Sequence, residues 1–167
     1  HDISAGGLIT TLLEMCFANT EGGMHVNLHS LAGNDIIKML LAENPGVVVQ
    51  VSDKYKEEFK EYMEENGIGY AKIGYPTPAE RTIVIKKDEY THTFDIDTLR
   101  DTWYKTSYLL DRDQSFNDCA AKSRDNYKKQ PVEMKFHDSF KGSLDSYGIS
   151  ADRRTASGIK AAIIREQ

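Results

Sequence analysis

The sequence predicts an α+β fold, a layered α/β/α arrangement around a mixed sheet. Three observations lead there. Apolar residues recur at helical spacing in several segments, short β-branched runs stand between them, and Asp88-Glu89 joins two alternating segments into a hairpin. A hairpin set among helices and strands argues against a doubly wound, all-parallel sheet.

The elements follow in chain order. Leu8, Leu12, Met15 and Cys16 share one helical face, and Ile9, Leu13 and Phe17 widen it, so the first helix is expected to be deeply buried. Gly22-Gly23 ends it, and Met24 to Leu28 alternates as a strand. Asn34 or Asp35 is placed to cap a helix whose apolar face is Ile36, Ile37, Leu40 and Leu41. The run Val47-Val48-Val49-Gln50-Val51 predicts a central strand buried on both sides. Ser52 or Asp53 then opens a helix with Tyr55, Phe59, Tyr62 and Met63 inward and a run of Lys and Glu outward. Ala71 to Gly74 reads as a strand, and Pro76 and Pro78 as a loop. Thr82–Lys86 and Thr91–Phe94 form the hairpin, with Ile83 and Ile85 inward. Asp97 is the expected cap of a long helix with Leu99, Trp103, Thr106 and Leu110 on one face, and a last helix is expected from about Phe116 to Tyr127.

Composition bounds the function. The apolar fraction is 40% and the charged fraction 28%, ordinary for a globular chain of 167 residues. A net charge of −5 supplies no general attraction to nucleic acid or anionic lipid, and no apolar run approaches a membrane span. Two cysteines make no disulfide framework and no signal segment opens the chain, so a cytoplasmic setting is expected. The missing initiator Met suggests a piece of a longer protein. Three parts are expected: a domain over 1–130, a polar linker or strap over 131–158, and the start of a strand over 159–167.

Chemistry concentrates at His1-Asp2-Ile3-Ser4-Ala5-Gly6-Gly7-Leu8. In an extended segment Asp2 and Ser4 point the same way. The glycines allow close backbone approach, and the helix that follows offers free N–H groups and a positive dipole end to a phosphate. Asp2 supplies a hard oxygen for Mg²⁺ and Ser4 a hydroxyl for metal or phosphate. The alternative is that Ser4 only caps a core helix and the glycines serve packing. Trp103-Tyr104-Lys105-Thr106-Ser107-Tyr108 reads on pattern as a core anchor with polar helix positions. His25 and His29 fall on a strand and its end, where no third metal ligand has fitting spacing. Cys16 lies on the buried stripe as a packing residue, and Cys119 has only Lys122 and Arg124 nearby to activate it. No catalytic triad, Walker loop or dinucleotide fingerprint is present.

The opening His1-Asp2-x-Ser4-x-Gly6-Gly7-Leu8 with Leu12-Leu13-Glu14-Met15-x-Phe17-Ala18 resembles the start of the last synthetase domain in the large, glutamine-dependent phosphoribosylformylglycinamidine synthase family. Trp103-x-x-Thr106-Ser107-Tyr108, then Cys119-Ala120, is similar to the pattern near the end of that domain. Arg153 and Gly158 to Gln167 resemble the entry into the family's glutaminase domain. The three motifs stand in the family's order and cover nearly the whole chain.

The resemblance implies the fold of the aminoimidazole ribonucleotide synthetase C-terminal domain. It implies a parent ligase in which ATP activates an amide oxygen and ammonia from glutamine displaces the phosphate, with Mg²⁺ and ATP or ADP as cofactors. It assigns Asp2 as a Mg²⁺ ligand and Ser4, Gly6 and Gly7 as nucleotide contacts of an auxiliary site. No catalytic residue is assigned to this chain, which is expected to be inactive alone. The implied partners are the sister synthetase and glutaminase domains and the nucleotide, with self-association of the isolated piece; neither nucleic acid nor membrane is expected. The family commonly carries a second Asp where this chain has Ala5, which removes one possible oxygen ligand or cap. Two other readings stay open: a structural interdomain module without ligand binding, and a related ATP-dependent synthetase or kinase of the same fold.

Overall fold

The computed structural model describes residues 1–129, 135–140, 142, 143, 145, 148 and 149. The chain divides into two units, His1–Gln130 and Pro131–Gln167. In the second, Phe136 and Phe140 pack ring to ring at 4.8 Å. The expected strand over 159–167, like most of the expected strap, lies outside the described residues.

The first unit is built from α1 (Gly7–Phe17), β1 (Gly23–Asn27), α2 (Ile36–Leu41), a 3-10 turn (Asp53–Tyr55), α3 (Lys56–Glu65), β2 (Gly74–Thr77), β3 (Thr82–Lys87), β4 (Tyr90–Asp95), α4 (Ile96–Gln114) and α5 (Cys119–Asp125). The strands form one mixed sheet in the order β2-β1-β3-β4. β1 and β3 are parallel, while the outer pairs are antiparallel. This is the α+β class with a mixed sheet that the sequence predicts.

Alternation decides where the core sits. Val26, Ile83 and Ile85 fall on one sheet face, in register as neighbours, and are buried against Leu8, Ile9, Leu12, Leu13 and Cys16 of α1 and Ile96 at the start of α4. Each such aliphatic side chain contributes about 1.5–3 kcal/mol. His25, Tyr75, Val84 and Lys86 point from the other face, where His25 stacks on Tyr75. The β3–β4 hairpin closes through Asp88-Glu89, and Asp88 takes the positive φ that such a turn requires. Asp35 caps α2, accepting from the N–H groups of Ile37 and Lys38.

Several sequence expectations are corrected. Val47–Val51 is no central strand: Val47 is 70% exposed, and the segment makes only an isolated antiparallel bridge to Asp2. β-branched composition favours extended backbone, but no strand covers the segment's outer side among the described residues. The second strand is Gly74–Thr77, shifted onto the expected loop, because Pro76 lacks a donor and is tolerated in an edge strand. Asp95, not Asp97, caps α4, accepting from the Thr98 N–H at 2.7 Å. The last helix contracts to Cys119–Asp125 and leaves Phe116 exposed. α3 buries none of its residues; Tyr62 on its apolar face is exposed, as is Tyr55 in the 3-10 turn before it. Leu110 and Trp103 are likewise exposed on α4, Trp103 by 52%.

Candidate functional site at the N-terminal end of helix one

Residues 1–3 run beside residues 46–48 and are held by backbone hydrogen bonds. The His1 nitrogen donates to Val48 O (2.8 Å), the Val48 N–H to His1 O (2.7 Å) and the Ile3 N–H to Gly46 O (2.8 Å). Ile3 packs against the core while its neighbours do not, so Asp2 and Ser4 face outward together. The Asp2 side chain is 75% exposed. Its carbonyl accepts from Thr11 Oγ1 at 3.2 Å, which fastens the segment to α1.

The residue at the head of α1 is Gly6, in the left-handed region with φ 86°, and no side chain caps the helix. The Ser4 hydroxyl is therefore not a cap, and the capping alternative fails for it; Ser4 contributes its carbonyl, which accepts from Gly7 N–H at 3.0 Å. The Gly6 N–H donates instead to Glu43 Oε1 at 2.9 Å, so a carboxylate already sits where the dipole favours an anion. Gly7 has φ +71°, and a Cβ there would come within 2.7 Å of the Leu40 carbonyl oxygen. The second glycine thus lets the end of α2 lie directly on α1.

One further network joins this end of the chain to the Trp103 motif. Glu14 Oε2 lies 3.1 Å from His1 Nε2, and Glu14 Oε1 accepts from the Trp103 indole N–H at 2.9 Å. His1 Nδ1 lies 2.7 Å from the Asp2 carbonyl oxygen. These residues border an open groove of about 500 Å³ lined by His1, Glu14, Phe17, Arg100, Trp103 and Tyr104, among others. Trp103 is a bridge between α4 and α1 and not a core anchor; its ring also packs on Phe17 at 5.2 Å.

The structure brings Asp2, Ser4, Gly6 and Gly7 to one end of α1. It leaves Thr106 and Ser107 exposed on α4 and pairs His29 with Asp88 at 3.1 Å. Among the described residues no group of three His, Cys, Asp or Glu side chains is arranged to hold a metal. Burial pushes the Cys16 thiol up, partly offset by the Arg81 charge, as befits a packing residue. Sequence reasoning missed Glu43, because no local pattern links it to Gly6 across 37 positions. It also missed the pairing of Glu14, whose signal was its place on α1 at the solvent border of the apolar stripe.

Helices packed on a mixed four-stranded sheet define an α+β domain, with Asp2 and Ser4 exposed just before its first helix. The family comparison agrees: residues 1–87 match the AIR synthase related protein C-terminal domain, and the chain belongs to that family. It is 34% identical over 131 residues to a probable phosphoribosylformylglycinamidine synthase, chloroplastic/mitochondrial, of Arabidopsis thaliana, covering 77% of this chain and 9% of that protein. It is 30% identical over 124 residues to the Homo sapiens phosphoribosylformylglycinamidine synthase, covering 72% of this chain and 9% of that one. A probable membrane antigen 75 of Saimiriine herpesvirus 2 is also 30% identical, over 139 residues, covering 81% of this chain and 10% of the viral protein. The chain thus spans about a tenth of the length of these relatives. Among the described residues no helix is long and apolar enough to cross a membrane.

Proposed function

We propose that this chain is the late synthetase-type domain of a purine-pathway ligase that makes formylglycinamidine ribonucleotide from formylglycinamide ribonucleotide, glutamine and ATP. In this reading the domain contributes part of an auxiliary Mg–nucleotide site. Asp2 is the metal ligand, and Ser4 with the Gly6–Gly7 backbone contacts the nucleotide. The observation that carries it is the outward display of Asp2 and Ser4 on either side of the inward Ile3, just before the N-terminal end of α1.

The donor set suits the ion. Mg²⁺ is commonly held by one or two carboxylates, with phosphate oxygens and waters completing its shell, so one exposed Asp is enough from this side. Bound there, the ion would offset phosphate charge. The chain's own part is to hold the Asp2 carboxylate still, through the Ile3 and His1 backbone bonds, and to aim the Ser4 hydroxyl beside it. In this reading the domain is inactive alone and works against sister synthetase and glutaminase domains, in the cytoplasm.

The second reading is a scaffold without ligand. The Glu43 carboxylate on Gly6 N–H and the packing of Gly7 on Leu40 favour it. ADP binding with and without Mg²⁺, by equilibrium dialysis, separates the two. Binding that needs Mg²⁺ supports the ligase site; absent or magnesium-indifferent binding supports the scaffold. The dialysis uses the chain alone and the chain joined to the domain that the family resemblance places before it.

A further inference from the structure

We propose that Glu14 and Trp103 are positioning residues for the Asp2 site, acting on it through His1. The inference rests on the Asp2 reading above and names the residues that hold that site in place.

The geometry is a continuous chain of polar contacts from α4 to the metal-ligand candidate. The Trp103 indole N–H donates to Glu14 Oε1 (2.9 Å), Glu14 Oε2 meets His1 Nε2 (3.1 Å), and His1 Nδ1 meets the Asp2 carbonyl (2.7 Å). Both nitrogens of the His1 ring face acceptors, so whichever one carries a proton, a hydrogen bond pins the ring. Glu14 is the hinge of the arrangement: its two oxygens serve two different partners, and its side chain is only 24% exposed. The Asp2 carboxylate lies 3.6 Å from His1 Nδ1, beyond hydrogen-bond length. Its direction is therefore set by the segment that carries it. The backbone bonds to residues 46–48 and Thr11 fix that segment on one side, and the His1 ring fixes it on the other. Trp103 is half-exposed and held by its polar edge, which fits a strut better than a core anchor. Outer partners of this kind orient ligands and tune metal affinity.

Trp103 is the sole tryptophan, so its indole N–H gives one resolved resonance. The test follows that resonance during Mg·ADP titration of the full chain; if the chain alone does not bind, it is joined to the preceding domain and the Trp103 resonance is assigned by its loss in Trp103→Phe. Mg·ADP affinity is measured for wild type, Trp103→Phe and Glu14→Gln. Trp103→Phe keeps an aromatic ring beside Phe17 and removes the donor together with the pyrrole part of the indole. The expected result is a shifted indole resonance on Mg·ADP binding, lost in Glu14→Gln. Mg·ADP affinity should fall about tenfold in both variants. Wild-type binding with a stationary indole resonance and unaltered affinity in both variants overturns the positioning role and leaves the Asp2 site standing. No wild-type binding in either form overturns both. Trp103→Phe carries the same prediction as Glu14→Gln, so an affinity loss confined to a thermally destabilised Glu14→Gln also overturns the positioning role.

Discussion

Arg81 Nε lies 2.9 Å from Asp97 Oδ1, and the same guanidinium donates through Nη1 to the Cys16 carbonyl at 3.1 Å. One side chain at the entry to β3 thus joins the C-terminal end of α1 to the first turn of α4. Both charges suit the helix ends they meet, a cation at the carbonyl end and a carboxylate at the N–H end. Asp97 also accepts from Lys128 Nζ at 2.7 Å and Tyr127 OH at 3.2 Å, while the Tyr127 ring lies under the Arg100 guanidinium. Asp97 therefore fastens the segment after α5 to the body of the unit.

This network has a pH signature. Burial works to raise the Asp97 pKa, but hydrogen bonds from Lys128 and Arg81 and the Arg81 charge outweigh it and hold the carboxyl below its ordinary value. Asp95 is lowered as well, by its hydrogen bonds from Thr98. A carboxyl depressed on folding adds stability that is fully present above the unfolded value, about 3.9, and is lost as pH falls through the folded one. The melting temperature should hold from neutral pH down to about 5 and then decline. Asp97→Asn should start lower at pH 7 and decline less steeply. Parallel curves for the two proteins would remove Asp97 from the account.

The glycine pair gives a stability prediction. Gly7→Ala places a Cβ within 2.7 Å of the Leu40 carbonyl oxygen at a positive φ. The expected loss is about 1–3 kcal/mol in urea denaturation. A Gly7→Ala protein as stable as wild type would mean that α1 and α2 are not packed this closely.

Much of the fold is legible in the sequence because its signals are local. The stripe of α1, the Asp35 cap and the alternation of Thr82–Lys87 each lie within a few residues, and Ile83 and Ile85 are fully buried as that alternation requires. Apolar content alone does not say whether a partner exists, which is why Val47, Tyr62 and Trp103 read as buried and are exposed. At the candidate site the Asp2–Gly7 motif is legible as a contiguous string. Glu43 and the Glu14–Trp103 bond are not, since they depend on how α2 and α4 meet α1. The shift of β2 onto Pro76 was hidden because an edge strand tolerates what an inner strand excludes.

The same contrast can be measured. Ile85→Ala empties a fully buried position and should cost about 2–5 kcal/mol, whereas Tyr62→Ser on α3 should change stability by no more than about 0.5 kcal/mol. Denaturation midpoints compare them directly. A large loss for Tyr62→Ser would mean that α3 is packed and not peripheral.

The two thiols should differ in reactivity. Cys16 is buried with a raised pKa, and Cys119 is exposed. A thiol reagent at pH 8 should modify Cys119 rapidly and Cys16 only after unfolding. Rapid native modification of both would contradict the burial of the α1 stripe.

The most direct test of the central claim is calorimetry of Mg·ADP binding to wild type, Asp2→Asn and Ser4→Ala, in the chain alone and joined to the preceding domain. The account predicts binding in the joined form that Asp2→Asn weakens about tenfold or more and Ser4→Ala weakens by a smaller factor. Binding indifferent to both substitutions, or no binding in either form, would contradict it and leave the end of α1 as scaffold.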